Sequence, residues 1–459
     1  MSAPSLAADL DLAAARAAES VRQWPPGEPI RLAKQTSNLF RSRADVAHRL
    51  DLSAFDGVVD VDVDARTAVV GGLTTYEDLV AATLPYGLVP LCVPQLRTIT
   101  LGGAVTGLGI EAASFRNGTP HESVLSMQIL TGAGDIVRAD PAGPHSDLFH
   151  GFPNSYGTLG YALTLTIELE PVTAQMVLRH SPFGSAQAMT DTIRQIVSSG
   201  VHAGEPVDYI DGTVFSDREM YLTTARYADD VGECSDYTGM DIYYRSIQRR
   251  GSDRLTTLDW LWRWDTDWFW CSRAMGVQRP AIRRLWPKSK LRSDVYWKVV
   301  AFERRHDLSN RVARRRGRPE REAVVQDVEV PVGALPEFME FFHREVGIEP
   351  VWVCPLKQRD PAAVWPLYQF DPAEIYVNVG FWSTVPVANG TDPSDGTVNR
   401  LIEKKVTELG GRKSLYSTAY YDRDEFWSIY GGDTYRALKQ RYDPDQRLAD
   451  LYDKCVGSS

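Results

Sequence analysis

The chain has 459 residues, 43% hydrophobic and 24% charged, with a net charge of −10. That suits a globular protein of two or three lobes, at roughly 100–200 residues per domain, and argues against a nucleic-acid partner. Five cysteines (Cys92, Cys234, Cys271, Cys354 and Cys455), odd in number and without CxxC, argue against a disulfide framework or a metal site and fit a reducing cytoplasm.

Residues 5–22, rich in Ala and Leu, predict an amphipathic helix stopped by Pro25-Pro26, so residues 1–30 read as an N-terminal helical segment. From Arg31 to about residue 172 short β-rich runs alternate with Gly, Pro and Asp. Residues 58–63 and 67–71 predict a hairpin turned at Asp64-Ala65-Arg66, and residues 75–84 a helix with Thr74 or Thr75 as its cap. Residues 124–131 and 136–138 predict a second strand pair, and 160–170 alternates as a half-buried strand does. The pattern is α+β rather than the regular βαβ of a nicotinamide-binding fold. Residues 173–410 hold most of the tryptophans and read as a cap or substrate domain. The basic run 311–321 reads as a solvated helix end or loop, with a binding patch as the alternative, and residues 411–459 read as a closing segment. No stretch is apolar enough to predict a membrane span, and no signal peptide is expected.

The most informative stretch surrounds Gly102, Gly103, Gly107 and Gly109, which follow a strand-like Thr98-Ile99-Thr100. Residues without bulky side chains let backbone N–H groups approach a diphosphate. The spacing is neither GxGxxG opening a nicotinamide-binding helix nor a Gly-Lys-Ser/Thr phosphate loop, and tight turns between strands are an equal alternative for the glycines alone. A second glycine loop, residues 153–160, precedes the alternating strand, and two such loops suit a long dinucleotide such as FAD. Arg31–Arg43 adds a basic, hydroxyl-rich segment.

These residues resemble a known superfamily. Residues 31–172 look like the PCMH-type FAD-binding domain of the vanillyl-alcohol-oxidase superfamily, with Thr100–Gly103 and Gly157–Gly160 in the family's order. LGGAVTGLGIEAAS (101–114), SDLF (146–149), VQDVEVP (325–331), WVCP (352–355) and YDRDEFW (421–427) resemble the Δ24-sterol reductases. RLAKQTSNLF (31–40), YEDLVAATLPYGL (76–88), SDYTGMDIYYRSIQ (235–248) and WRWDTDWFWCSRAMG (262–276) resemble bacterial FAD-dependent reductases of branched fatty-acid synthesis. That resemblance implies FAD and NADPH as cofactors, and a phospholipid-bound 10-methylene acyl chain reduced to its 10-methyl form (tuberculostearate). It also implies a SAM-dependent methyltransferase acting in the preceding step. Residues 411–459 are then expected to pack near the flavin. No His or Cys directly follows the glycines, so FAD is expected to bind non-covalently, with His121 the one nearby residue that suits a covalent link.

On the loops and the resemblance together, the expected cofactor contacts are Lys34, Thr98, Thr100, Leu101, Gly102, Gly103, Thr106, Gly107, Gly109, Ile110 and Ser114. His121, Gly157, Thr158, Gly160 and Tyr421 complete the set. Reducing an isolated alkene needs a hydride and a proton, hence an acid in an apolar pocket. Glu111 either serves as that acid or partners a basic group. Asp265 and Asp267, in an aromatic stretch that would raise a carboxyl's pKa, either donate the proton or pair with Arg263 or Arg273. Tyr420 and Tyr421 either donate or simply pack, and Arg245 either holds a lipid or NADPH phosphate or sits in a core ion pair. A basic-aromatic segment, Arg283, Arg284, Trp286, Lys288, Lys290 and Arg292, is expected to touch anionic headgroups in a peripheral contact at the inner face of the cell membrane. Three other readings stay open. One is an oxidase or dehydrogenase of alcohols, sugars or hydroxy acids; another is a reductase of sterol or isoprenoid side chains; the third is a non-catalytic scaffold for the methyltransferase.

Overall fold

The computed structural model describes residues 3–34, 40–41, 46–388 and 390–456. The first helix, Ala3–Gln23, buries Ala14, Ala17, Ala18 and Val21. That stripe of mostly methyl side chains packs with Phe55, Leu130 and Leu163 against the smaller of the two large sheets.

The smaller sheet runs Val58–Asp62, Thr67–Gly71, Gly160–Pro171, Val124–Thr131, Ile136–Ala139, with Leu88–Pro90 paired to the end of its longest strand. All its pairs are antiparallel. In Gly160–Pro171, Leu163, Leu165, Ile167 and Leu169 are buried while Thr164, Thr166, Glu168 and Glu170 are half-buried, as the two-residue period of a strand requires. Thr75 caps the helix Tyr76–Thr83 by accepting from the backbone N of Asp78.

The chain leaves this sheet at Pro171 and enters the larger one at Gln175. Eight antiparallel strands follow in the order Ser252–Thr256, Gln175–Phe183, Glu219–Tyr227, Tyr209–Ser216, Val351–Leu356, Tyr376–Pro386, Arg321–Pro331, Arg412–Lys413. The last of these carries the larger sheet past residue 410, where the sequence reading had ended the cap domain. Helices Ala186–Ser199, Leu335–Glu345 and Thr397–Glu408 cover one face, burying Ile193, Phe338, Phe342, Ile402 and Val406 with Val324, Val328, Val377, Val379 and Phe381. Alternation sends the intervening residues to the opposite face: Asp327 and Glu329 from one strand, Asn378 and Trp382 from its neighbour, Trp352 from the next. The aromatic stretch 260–270 lies against that face, with the Phe269 ring 5.5 Å from Trp352 and 4.4 Å from Trp382.

Two sequence-based expectations are corrected here. Thr98–Thr100 is not a strand; residues 97–98 form a turn and Thr100 makes a single bridge to Thr75. Gly102, Gly103 and Gly107 lie in a short helix, Leu101–Gly107, rather than a loop. The cause is local: Thr100 Oγ1 accepts from the backbone N of Gly103 at 3.2 Å, capping the turn.

Candidate functional site

Between the glycine segments and the aromatic face of the larger sheet lies a cavity of about 690 Å³, within the ~300–1,000 Å³ of small-molecule and cofactor sites. One end is polar and built of backbone. Gly102 presses on Gly72, its N donating to Gly72 O at 3.0 Å; a Cβ there would sit 2.7 Å from the same oxygen. Lys34 Nζ donates to Thr100 Oγ1 at 2.8 Å, bringing a cation to the start of the glycine helix. The second loop locks onto the first through Tyr156, whose OH donates to Gly107 O at 2.6 Å and whose N donates to Thr106 O at 3.0 Å. Gly157 supplies the left-handed turn, at φ 73°. From the far end of the chain, Lys454 Nζ donates to Tyr156 O at 2.6 Å and Lys439 Nζ to Thr158 O at 2.9 Å.

The other end is aromatic. Phe40, Trp268, Phe269, Trp352 and Trp382 line it, with Phe40 stacked on Trp268 at 5.7 Å. Asp327 lines the cavity beside them, its Oδ1 accepting from Asn378 Nδ2 at 3.1 Å. Burial pushes the Asp327 carboxyl up to about 6, against hydrogen bonds from Asn378 and Tyr416 that hold it down. Behind it Glu329, hydrogen-bonded by Tyr368 and Ser414, is pushed by burial to about 8.

Glu111 also lines the cavity, and its carboxyl accepts from Gln95 N at 2.9 Å. Burial raises it to about 8, which the Gln95 amide and the Arg263 charge only partly oppose. Gln95 is 3% exposed, and among the described residues neither atom of its carboxamide has a partner. A buried amide is expected to be hydrogen-bonded; Gln95 lines the cavity, and its side chain also helps hold the Glu111 carboxyl down.

The structure sorts the sequence-based candidates. Lys34, Thr100, Gly102, Gly103, Thr106, Gly107, Gly109, Ile110, Glu111, Gly157 and Gly160 line the cavity. Thr98, Leu101, Ser114, His121, Thr158, Tyr421, Arg245, Asp265 and Asp267 are not among its lining residues. Leu101 points into the core, Ser114 Oγ accepts from Glu111 N at 2.9 Å, and Thr158 Oγ1 pins its own loop by donating to Ser155 O at 2.7 Å. His121 packs edge-on to Trp365 at 4.4 Å, and burial drives its imidazole down to about 3. Tyr421 packs against Tyr430, and Tyr420 lies under Arg400. Arg245 donates to Gln278 at 2.8 Å beside the Tyr244 ring, and among the described residues it forms no ion pair.

The two acids of the aromatic stretch are closed off. Asp265 takes the Arg97 guanidinium at 2.8 Å and Ser293 Oγ at 2.5 Å; Asp267 takes Arg283 at 2.7 and 2.9 Å. Burial raises Asp265 and Arg97 opposes it. Each is an internal ion pair, though with neither of the expected arginines. The sequence reading missed Asp327, Gln95 and the wall of Trp352 and Trp382. The signal for the wall was the alternation in VQDVEV and YVNVGFW, which places Asp327, Asn378 and Trp382 on one face. Residues 35–39 and 42–43 of the basic N-terminal segment lie outside the described residues.

The residues present fit FAD: small residues and Lys34 at one end for a diphosphate, and at the other an unpartnered carboxamide and aromatic faces for a flat ring system. Residues 19–140 match the family model described as FAD binding domain. The chain is similar to the Δ24-sterol reductase of Rattus norvegicus, 25% identical over 418 residues, covering 86% of this chain and 75% of the relative. It is 24% identical over 436 residues to that of Arabidopsis thaliana, covering 86% and 74%. A 123-residue stretch, 27% of this chain, is 33% identical to 26% of the decaprenylphosphoryl-β-D-ribose oxidase of Mycolicibacterium smegmatis. The chain is an FAD-dependent oxidoreductase of α+β fold.

Proposed function

We propose that the protein reduces an isolated carbon–carbon double bond in a lipid chain with NADPH as donor, converting a phospholipid-bound 10-methylene-stearoyl group to its 10-methyl form. The observation that carries this reading is the protonatable Asp327 set among Trp268, Trp352 and Trp382 on the cavity face. An isolated alkene has no carbonyl to polarise, so its reduction needs an acid in an environment that tolerates positive charge and holds little water. A carboxyl raised to about 6 retains its proton in a measurable fraction at neutral pH. FAD, when bound, carries the hydride between NADPH and the alkene.

The protein's part is protonation, positioning and exclusion of water. Asp327 delivers its proton to the terminal methylene carbon, the π bond supplies the electron pair for the new C–H bond, and positive charge develops at the tertiary C10. The indole faces stabilise that charge as cation–π partners without offering a nucleophile. C10 then accepts the hydride, so one H⁺ and one H⁻ account for the two hydrogens gained. Gln95 would face the ring system of the cofactor, and the glycine helix with Lys34 would hold its diphosphate.

The curated relatives are named Δ24-sterol reductases, which keeps a sterol side chain as the second reading. The test is incubation of the flavin-loaded protein with NADPH and either a 10-methylene-stearoyl phospholipid or a Δ24-sterol, followed by mass spectrometry. A two-hydrogen gain in the acyl chain is the expected result. Gain in the sterol alone overturns the acyl substrate, and gain in neither, with NADPH untouched, overturns the reaction.

A further inference from the structure

Residues 279–318 carry fourteen Lys/Arg against three Asp/Glu, in a chain whose net charge is −10. Three of these cations are held in ion pairs: Arg283 is buried on Asp267, Arg292 pairs with Glu77 and Asp294, and Arg314 with Asp307 and Glu320. The headgroup contact expected at residues 283–292 therefore loses Arg283 and Arg292. What remains extends along the helices Ser293–His306 and Leu308–Arg315.

The first helix has two faces. Ser293, Tyr296, Trp297 and Val300 turn inward, and the Trp297 ring lies 4.9 Å from Phe40 and 6.3 Å from Trp268, two residues of the cavity's aromatic wall. Lys298, Val299, Phe302 and Arg305 turn outward, with Val299 45% and Phe302 57% exposed. On the second helix Leu308, Arg311, Val312 and Arg315 form a stripe of the same kind, again exposed. Leu285, 85% exposed, stands beside the exposed Arg284 on the preceding short helix. Among the described residues Arg284, Lys290, Lys298, Arg305, Arg311 and Arg315 form no ion pair.

We infer that this surface docks on the face of an anionic lipid bilayer. Unpaired cations interleaved with exposed Leu, Val and Phe side chains on helices lying along the surface are the arrangement of an interfacial helix. The cations meet headgroups and the apolar chains enter the headgroup–acyl boundary. A nucleic-acid backbone would satisfy the cations but bury none of the apolar side chains. No helix among the described residues is long and apolar enough to cross a membrane, so the contact is peripheral. Because Trp297 packs on the cavity wall, docking also sets the aromatic end of the cavity close to the bilayer. This last step rests on the lipid substrate proposed above; the docking itself does not.

The test is co-sedimentation of the flavin-loaded protein with vesicles of phosphatidylcholine alone or with phosphatidylglycerol added. The wild type is expected to bind only the anionic vesicles and to be released by salt. Each cation near such a surface contributes about fivefold to partitioning, so R305E/R311E/R315E is expected to lower binding on the order of a hundredfold or more. V299D/F302D is expected to lower it roughly tenfold or more, from the loss of apolar burial. Both variants keep wild-type flavin content and wild-type turnover of detergent-dispersed substrate. Equal binding by wild type and variants overturns the inference, as does failure of the wild type to bind. So does a concentration-dependent dimer, or a DNA complex, that uses this surface in place of vesicles. A protein that binds vesicles but reduces no alkene leaves the docking standing and sinks only the proposed reaction.

Discussion

Replacing Asp327 with Asn puts the proposed chemistry to its sharpest test. The amide keeps an oxygen where Asn378 Nδ2 donates at 3.1 Å, fills the same volume and removes the transferable proton. A positioned general acid contributes about 10²–10⁴-fold. An isolated alkene offers no second site of activation, so the loss belongs at the upper part of that range, ~10³–10⁴-fold or ~4–5 kcal/mol of barrier. Single-turnover reduction of the methylene acyl chain by NADPH-reduced protein, followed by mass spectrometry, measures it. Bleaching of the flavin by NADPH, which needs no acid at the alkene, stays at the wild-type rate in the variant. The pH profile adds an independent reading. With the carboxyl at about 6, the protonated fraction falls roughly tenfold per pH unit above it, so turnover is about 100-fold below its acid plateau at pH 8. Were Glu111 the donor, the limb would lie near pH 8 instead. Wild-type turnover in Asp327→Asn, or a limb near pH 6 that survives the substitution, refutes the assignment.

Other consequences can be checked directly. Gly102→Ala places a methyl 2.7 Å from Gly72 O; it is expected to cost about 1–3 kcal/mol through overpacking and to weaken flavin binding by fluorescence titration, while Gly184→Ala, with nothing within 4 Å, leaves binding unchanged. Lys413→Met strands Glu403, whose carboxylate takes Lys413 Nζ at 2.6 Å in full burial, and should destabilise the fold by about 3–5 kcal/mol in urea titration; Lys413→Met with Glu403→Leu recovers much of that loss, and equal loss in both contradicts the ion-pair account. Glu329 releases its proton near 4.5 when unfolded and near 8 when folded, so the folded chain holds the extra proton in between. Its stabilisation is complete below pH 4.5 and declines as pH rises through 8, by up to about 1.4 kcal/mol per unit. Glu329→Gln is expected to flatten that decline in urea midpoints measured on flavin-free protein, and an unchanged slope sinks the assignment.

What the sequence disclosed was local. The hairpin at residues 58–71, the Thr75 cap and the strand beginning at Gly160 follow from turn residues, a hydroxyl and a two-residue period, all within a few residues of each other. The glycines were visible as a cradle, but not their helix, because Gly102 takes its place against Gly72, thirty positions earlier. The ion pair of Asp265 could be foreseen but not its partner, for the same reason: the guanidinium that holds it belongs to Arg97, 168 residues away. Asp327 went unnoticed although the alternation around it was plain. A strand's face acquires chemical meaning only when its neighbours are known, and here those are Trp352 and Trp382.

The two lysines that clasp the second glycine loop have a consequence for biogenesis. Phe40 bridges to Ser417, and Arg41 Nη1 donates to Lys454 O at 2.6 Å across 413 residues of chain. The nucleotide's enclosure is thus sewn from segments far apart in sequence, and a chain that has not yet brought Ser417 and Lys454 against Phe40 and Arg41 lacks that wall of the site. Capture of the cofactor then depends on that long-range contact, and every increment of binding affinity is returned as resistance to unfolding of the whole.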